Sequence, residues 1–106
     1  MSALSTIQAM SNPIRFEILD LVSEREMGAG EIAGRFKTTR PAVSQHLRIL
    51  RRTGLVKERR VGARRLYSLR HEGFEPLRAW LDGYWSRRLR KLKLAAEESE
   101  RGKRKR

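Results

Sequence analysis

Residues 38–56, TTRPAVSQHLRILRRTGLV, carry the pattern on which the fold turns. Val43, Leu47 and Leu50 stand at i, i+4 and i+7, a narrow apolar stripe that predicts a helix with one side in a core. Pro41 falls in its first turn, where a missing N–H does little harm. Because proline restricts its predecessor, either Thr39 or Arg40 can be the cap. Gly54 fits a left-handed stop, with Leu55 placed to fold back on the last turn. With the stripe buried, the opposite face shows Arg40, Ser44, Gln45 and Arg48, flanked by His46 and Arg52. Arginine pairs bidentately with guanine, glutamine with adenine, and serine with several edges or a phosphate, so this face suits the major groove of DNA.

Working outward, GEIAGRFK (30–37) sets Ile32, Ala33 and Phe36 on one stripe, and Gly28 and Gly30 break the chain before it. That short helix, the tight turn KTTR and the helix after it make a helix-turn-helix, with Ala33 small where the two helices cross. Upstream, Asn12-Pro13 is a helix start. Ile14, Ile18, Leu21 and Val22 follow at helical spacing, and Phe16 and Leu19 widen the apolar surface, which predicts a helix covered on more than one side. Leu4 and Ile7 mark a short amphipathic helix over Ala3–Met10. Downstream, LVKERRV and RRLYSLR form two strands around Gly62-Ala63. A long helix then runs from about Gly73 to Glu97, with Phe74, Leu77, Leu81, Trp85, Leu89 and Leu92 recurring every three or four residues and Trp80 and Tyr84 beside them. The expected fold is mostly α with a small β-hairpin: a dimeric winged helix-turn-helix in the order α-α-α-α-β-β-α. It occupies residues 1–97, and EESERGKRKR (97–106) reads as a frayed helix end followed by a flexible basic tail, assigned to residues 98–106.

The chain has 106 residues, one domain's worth, with 25 basic against 12 acidic residues and a net charge of +13. An anionic polymer is the natural partner for such an excess. The absence of cysteine excludes disulfides, thiolate metal sites and thiol redox sensing, and suits a reducing cytoplasm. No apolar run is long enough for a bilayer and the first residues lack a signal-peptide pattern, so a cytoplasmic, nucleoid-associated protein is expected. Arg59, Arg60, Arg64 and Arg65 crowd the hairpin, where only Glu58 lies next to them in sequence. A polyanion would relieve that repulsion, so the hairpin reads as a wing on the backbone or minor groove. On the fourth helix, Arg40, Ser44 and Gln45 are assigned to base edges, Thr39 and Arg48 to phosphates, and His46 to packing or a phosphate. No nucleophile with a base is visible, and Glu31, Glu58 and Asp82 are scattered among arginines, so an enzyme is not expected. The competing reading is a nucleic-acid binder without sequence preference, an architectural DNA or RNA protein. RNA is disfavoured because the aromatics sit mainly on the last helix, not among the basic residues.

From Asn12 to about Trp85 the chain resembles the ArsR (arsenic-repressor-like) family of winged-helix regulators, through NPIRFEILDLV, GEIAGRF, RPAVSQHLRILRRTGLV and RRVGARRLYSL. The resemblance implies a homodimer built from the first and last helices, bound to an imperfect palindrome in double-stranded DNA. It places Ser44, Gln45 and His46 on the recognition helix and Arg64 and Arg65 on the wing. Leu4, Ile7, Leu77, Leu81, Tyr84 and Trp85 are the candidate dimer residues, their aromatic rings serving as a core between copies. Family members that sense soft metals carry cysteines in the third helix, and others place carboxylate and histidine ligands on the last. Here that helix offers Asp82 without a histidine, and the only histidines are His46 and His71. The resemblance therefore points to a metal-independent branch with no cofactor.

Overall fold

A computed structural model describes residues 1–104. Helix α1 (Ala3–Met10) is capped by Ser2, whose hydroxyl accepts from the Ser5 amide, and α2 (Pro13–Glu24) by Asn12, whose side chain accepts from Ile14 and Arg15. Strand β1 (Met27–Gly28) and helix α3 (Ala29–Ala33) follow, then α4 (Arg40–Arg52), β2 (Val56–Val61) and β3 (Arg64–Leu69). A 3-10 turn over His71–Phe74 leads into α5 (Glu75–Arg104). The helical order and the hairpin agree with the expected winged helix-turn-helix.

The sheet has three strands in the order β1-β3-β2, all antiparallel. β1 is new relative to the sequence expectation: Met27 pairs with Tyr67 and Gly28 with Leu66. Two residues are too few to show an alternation, so no periodicity could reveal it. In the hairpin, Val61 faces Arg64 across a two-residue loop whose Gly62 has φ +62°. Glycine in the first central position suits the primed turns that follow the strands' own twist.

The core sits where α2, α3, α4 and the sheet converge. Ile18, Ile32, Leu50 and Leu55 are wholly inaccessible, and Val43 and Leu47 nearly so. Truncating any of these Ile or Leu side chains to alanine would leave a cavity costing about 2–5 kcal/mol. The expectation of a doubly covered α2 holds for Ile18, Leu19 and Val22, whereas Phe16 stays half exposed beside Met10 and Pro13. Gly54 ends α4 with φ +80°; its amide donates to Arg51 and the Leu55 amide to Leu50, the paired bonds of a Schellman stop.

Two boundaries differ from the expectation. α3 ends at Ala33 instead of running to Lys37, because Gly34 follows it and the chain turns. α5 begins at Glu75, after the 3-10 turn, and continues to Arg104, past the expected end near Glu97. Residues 98–104 thus continue the helix rather than forming a tail, since Glu98, Glu100 and Arg101 are good helix formers and Gly102 alone does not break the run. Lys105 and Arg106, the rest of that segment, lie outside the described residues.

At 1.5 Å per residue α5 is about 45 Å long. Its first turns pack on α1 and the remainder projects, which gives a radius of gyration of 20.5 Å where a compact chain of this size has about 13 Å.

Candidate nucleic-acid interface

α4 contains no carboxylate, and its cap is settled: the Thr39 hydroxyl accepts from the Ala42 amide at 3.2 Å, so Arg40 is the first helical residue. At 100° per residue, Gln45, Arg48 and Arg52 point most directly away from the buried stripe of Val43, Leu47 and Leu50. All three are exposed. Ser44 and Arg48 face the wing across a cleft of about 240 Å³ that also takes in Arg51, Arg65 and Tyr67. Arg52, a flanking residue in the sequence expectation, belongs to the outward face.

His46 is turned the other way. It is half buried, and its Nδ1 lies 3.3 Å from a guanidinium nitrogen of Arg15 on α2. Burial lowers its pKa, and the Arg15 charge lowers it further, so the neutral ring accepts from Arg15. Of the two roles expected for His46, packing is the one its contacts display. Arg15 also donates from Nε to the Ala9 carbonyl at 2.7 Å, tying the end of α1 to α2 and α4. Its position in the NPIRF run gave no sign of this role.

The wing arginines divide into two pairs. Arg59 donates to both oxygens of Glu26, 33 residues away in sequence, and holds that carboxyl below the usual carboxylate range. Arg65 stands 3.8 Å from Glu58, which also accepts from Arg51 at 2.6 Å and from the Tyr67 hydroxyl at 3.2 Å. Burial first, and then the Glu58 charge, raises the Tyr67 pKa. Arg60 and Arg64 make no ion pair among the described residues. Glu58 is therefore not the only neutralising group: Glu26 reaches the wing from the segment before β1. Cross-strand partners Arg60 and Arg65 still set two cations directly opposite, an arrangement that costs stability unless an anion lies over them.

The Bacterial regulatory protein, arsR family, sequence model matches residues 12–58. The HTH-type transcriptional regulator Rv2034 of Mycobacterium tuberculosis is 39% identical over 82 residues, 77% of this chain and 77% of the relative. The chain belongs to the arsR family of bacterial regulatory proteins. An arsenical resistance operon repressor of Staphylococcus xylosus is 38% identical over 80 residues, covering 74% of this chain and 77% of the relative. The crystal structure of a possible transcriptional regulator for arsenical resistance superposes with a TM-score of 0.69 at 34% identity, covering 84% of this chain and 93% of the other. This arsR-family chain is a sequence-specific DNA-binding regulator and not an enzyme.

The candidate dimer residues of this arsR-family fold lie on α1 and α5, which pack against each other. Leu4 is 62% exposed and Trp85 64%, Ile7, Leu81 and Tyr84 are less so, and Leu77 is half buried where α5 meets α1. Trp80 stacks on Tyr84 with centroids 5.6 Å apart, and Arg88 lies over the Tyr84 ring. Among the described residues no group of three or more histidines, acids or cysteines converges, and no helix is long and apolar enough to cross a membrane. Asp82, the one candidate ligand on α5 named from the sequence, is paired with Arg78.

Proposed function

We propose that the protein is a homodimeric repressor that occupies an imperfect palindromic operator, with α4 of each subunit in the major groove and the wings on the flanking backbone. The observation that carries this is the face of α4. Ser44, Gln45, Arg48 and Arg52 stand exposed on a helix without a single acid, above a buried stripe that fixes their direction. Gln45 reads a base edge, Ser44 a base edge or phosphate, and Arg48 and Thr39 the backbone. Arg60 and Arg64, the wing cations without an ion pair among the described residues, supply sequence-independent affinity.

Dimerisation is supported by Leu81, Trp85, Leu89 and Leu92, which form a solvent-facing seam on α5 with Leu4 and Ile7 at its side. A run of large apolar residues left uncovered in one chain marks an interface. Repression is metal-independent in this proposal, since the chain has no cysteine and Asp82 is engaged by Arg78. Two relatives named as repressors, one of them from an arsenical resistance operon, support the sign of regulation. The proposed location is the bacterial cytoplasm, at the nucleoid.

The test is binding to the DNA upstream of the protein's own gene, at near-physiological salt with excess nonspecific duplex. The expected result is a discrete, symmetric footprint that survives the competitor. Complete displacement by competitor from that DNA and from a genome-wide fragment pool would instead indicate binding without sequence preference.

A further inference from the structure

Gly28 and Gly30 bracket the start of α3, and each lies under a guanidinium group. A Cβ on Gly30 would come within 3.0 Å of Nη2 of Arg40, and one on Gly28 within 3.4 Å of Nη2 of Arg64. One arginine comes from the first turn of α4 and the other from the tip of the wing. Between them opens a cleft of about 390 Å³, lined also by Glu31 and Arg65. The one carboxylate in that lining, Glu31, is turned to Arg25, and Arg65 leans towards Glu58. Among the described residues Arg40 and Arg64 have neither an ion pair nor a side-chain hydrogen bond, so their donors are open to the cleft and solvent.

Two planar cations brought from separate elements onto a glycine floor, with the local acid drawn elsewhere, match an oxyanion that accepts forked hydrogen bonds. The position of Arg40 on its helix agrees. At 100° per residue it lies on the wing-facing flank of α4, roughly 140° around from Gln45. A side chain there reaches the strand backbone at the edge of the groove more readily than base edges at its floor.

We propose that this cleft is a phosphodiester clamp, in which Arg40 and Arg64 hold one DNA backbone phosphate between the recognition helix and the wing, over Gly28 and Gly30. The clamp rests on the DNA-binding reading and moves Arg40 from base readout to the backbone. It fixes how deep α4 sits and couples the wing to the helix that reads sequence.

The experiment measures Kd against salt for the full-length protein, for Arg40→Gln, Arg64→Gln and the double variant, on an operator duplex and a scrambled duplex. Both side chains replaced are exposed, and thermal unfolding by circular dichroism checks that the fold persists. Each single variant is expected to weaken binding to both duplexes by the same factor, about tenfold. The double variant should lose much less than the product of the single losses, with a salt slope flatter by about 0.9 per subunit, the value for one shared phosphate. Loss confined to the operator in Arg40→Gln, with an unchanged salt slope, would return Arg40 to base readout and overturn the clamp. Fully multiplicative losses would overturn it too, by giving the arginines separate phosphates. Inorganic pyrophosphate titrated into DNA-free protein supplies the remaining arm: saturable binding at micromolar levels, abolished in both single variants, would assign the cleft to a small anion instead of DNA. If the unaltered protein bound neither duplex, the DNA-binding reading itself would fail, a result distinct from any pattern among the variants.

Discussion

Gly73 has no room for a side chain. A Cβ there would sit 2.7 Å from the carbonyl carbon of Gly54, closer still to its oxygen, and 3.3 Å from the Cα of Leu55, all of it backbone that cannot swing aside. The close approach seats the turn before α5 on the stop at the end of α4, so it joins α5 to α4. Gly73→Ala is expected to cost about 2–3 kcal/mol, the upper part of the range for overpacking, seen as a lower urea midpoint with an unchanged slope. A midpoint equal to that of the unaltered protein would mean the turn relaxes freely. His46 makes a second prediction at this scale. Its pKa in the fold is lowered by burial and by Arg15, so the unfolded chain takes up the proton first as pH falls. The contribution of the neutral ring is fully present above about pH 6.5, the ordinary histidine value, and is lost as pH drops through the lower folded value. Ring-proton chemical shifts should show His46 titrating below that ordinary value, and Arg15→Gln should move the titration upward. A normal pKa in both proteins would contradict the packing assigned to His46.

Among the elements, α2 and α4 were legible because each declares itself twice, by a stripe and by a start signal, and Asn12 and Thr39 accept from amides of the turns they begin; α1 showed only through Leu4 and Ile7, and its Ser2 cap went unread. The hairpin showed through its two runs around Gly62. What stayed hidden depended on contacts distant in sequence. β1 exists because β3 offers it an edge at Leu66 and Tyr67, and Arg59 is neutralised from Glu26, a partner on the far side of the helix-turn-helix. The outward face of α4 was legible as a list of residue types, but which way each side chain leans was not, and Arg40 and His46 took directions that only packing could set. The wing supplies the prediction at this scale. Glu26→Gln removes the charge that engages Arg59 and leaves that guanidinium free to meet an anion. The expected outcome is tighter binding to any duplex and a salt dependence steeper by up to about 0.9 per subunit. An unchanged slope would restrict Arg59 to a structural role.

At the scale of the whole molecule, a body that reads DNA carries a projecting helix with an uncovered apolar seam, and a net charge of +13 that a second copy would double. That repulsion makes dimerisation depend on the seam. Trp85→Ala should weaken the dimer by about 2 kcal/mol or more, roughly thirtyfold in the dissociation constant, measured by sedimentation over a concentration series. An unchanged monomer–dimer balance would move the interface off this part of α5. Whether the outward face of α4 reads sequence is tested at Gln45, which points away from the core and leans on neither the wing nor α2. The measurement is the ratio of operator to scrambled-duplex affinity for Gln45→Ala against the unaltered protein, with Arg60→Ala alongside. Gln45→Ala is expected to lower the ratio at least fivefold, as losing one bidentate base contact does, while Arg60→Ala lowers both affinities and leaves the ratio in place. A ratio unchanged in Gln45→Ala would contradict sequence reading by this face.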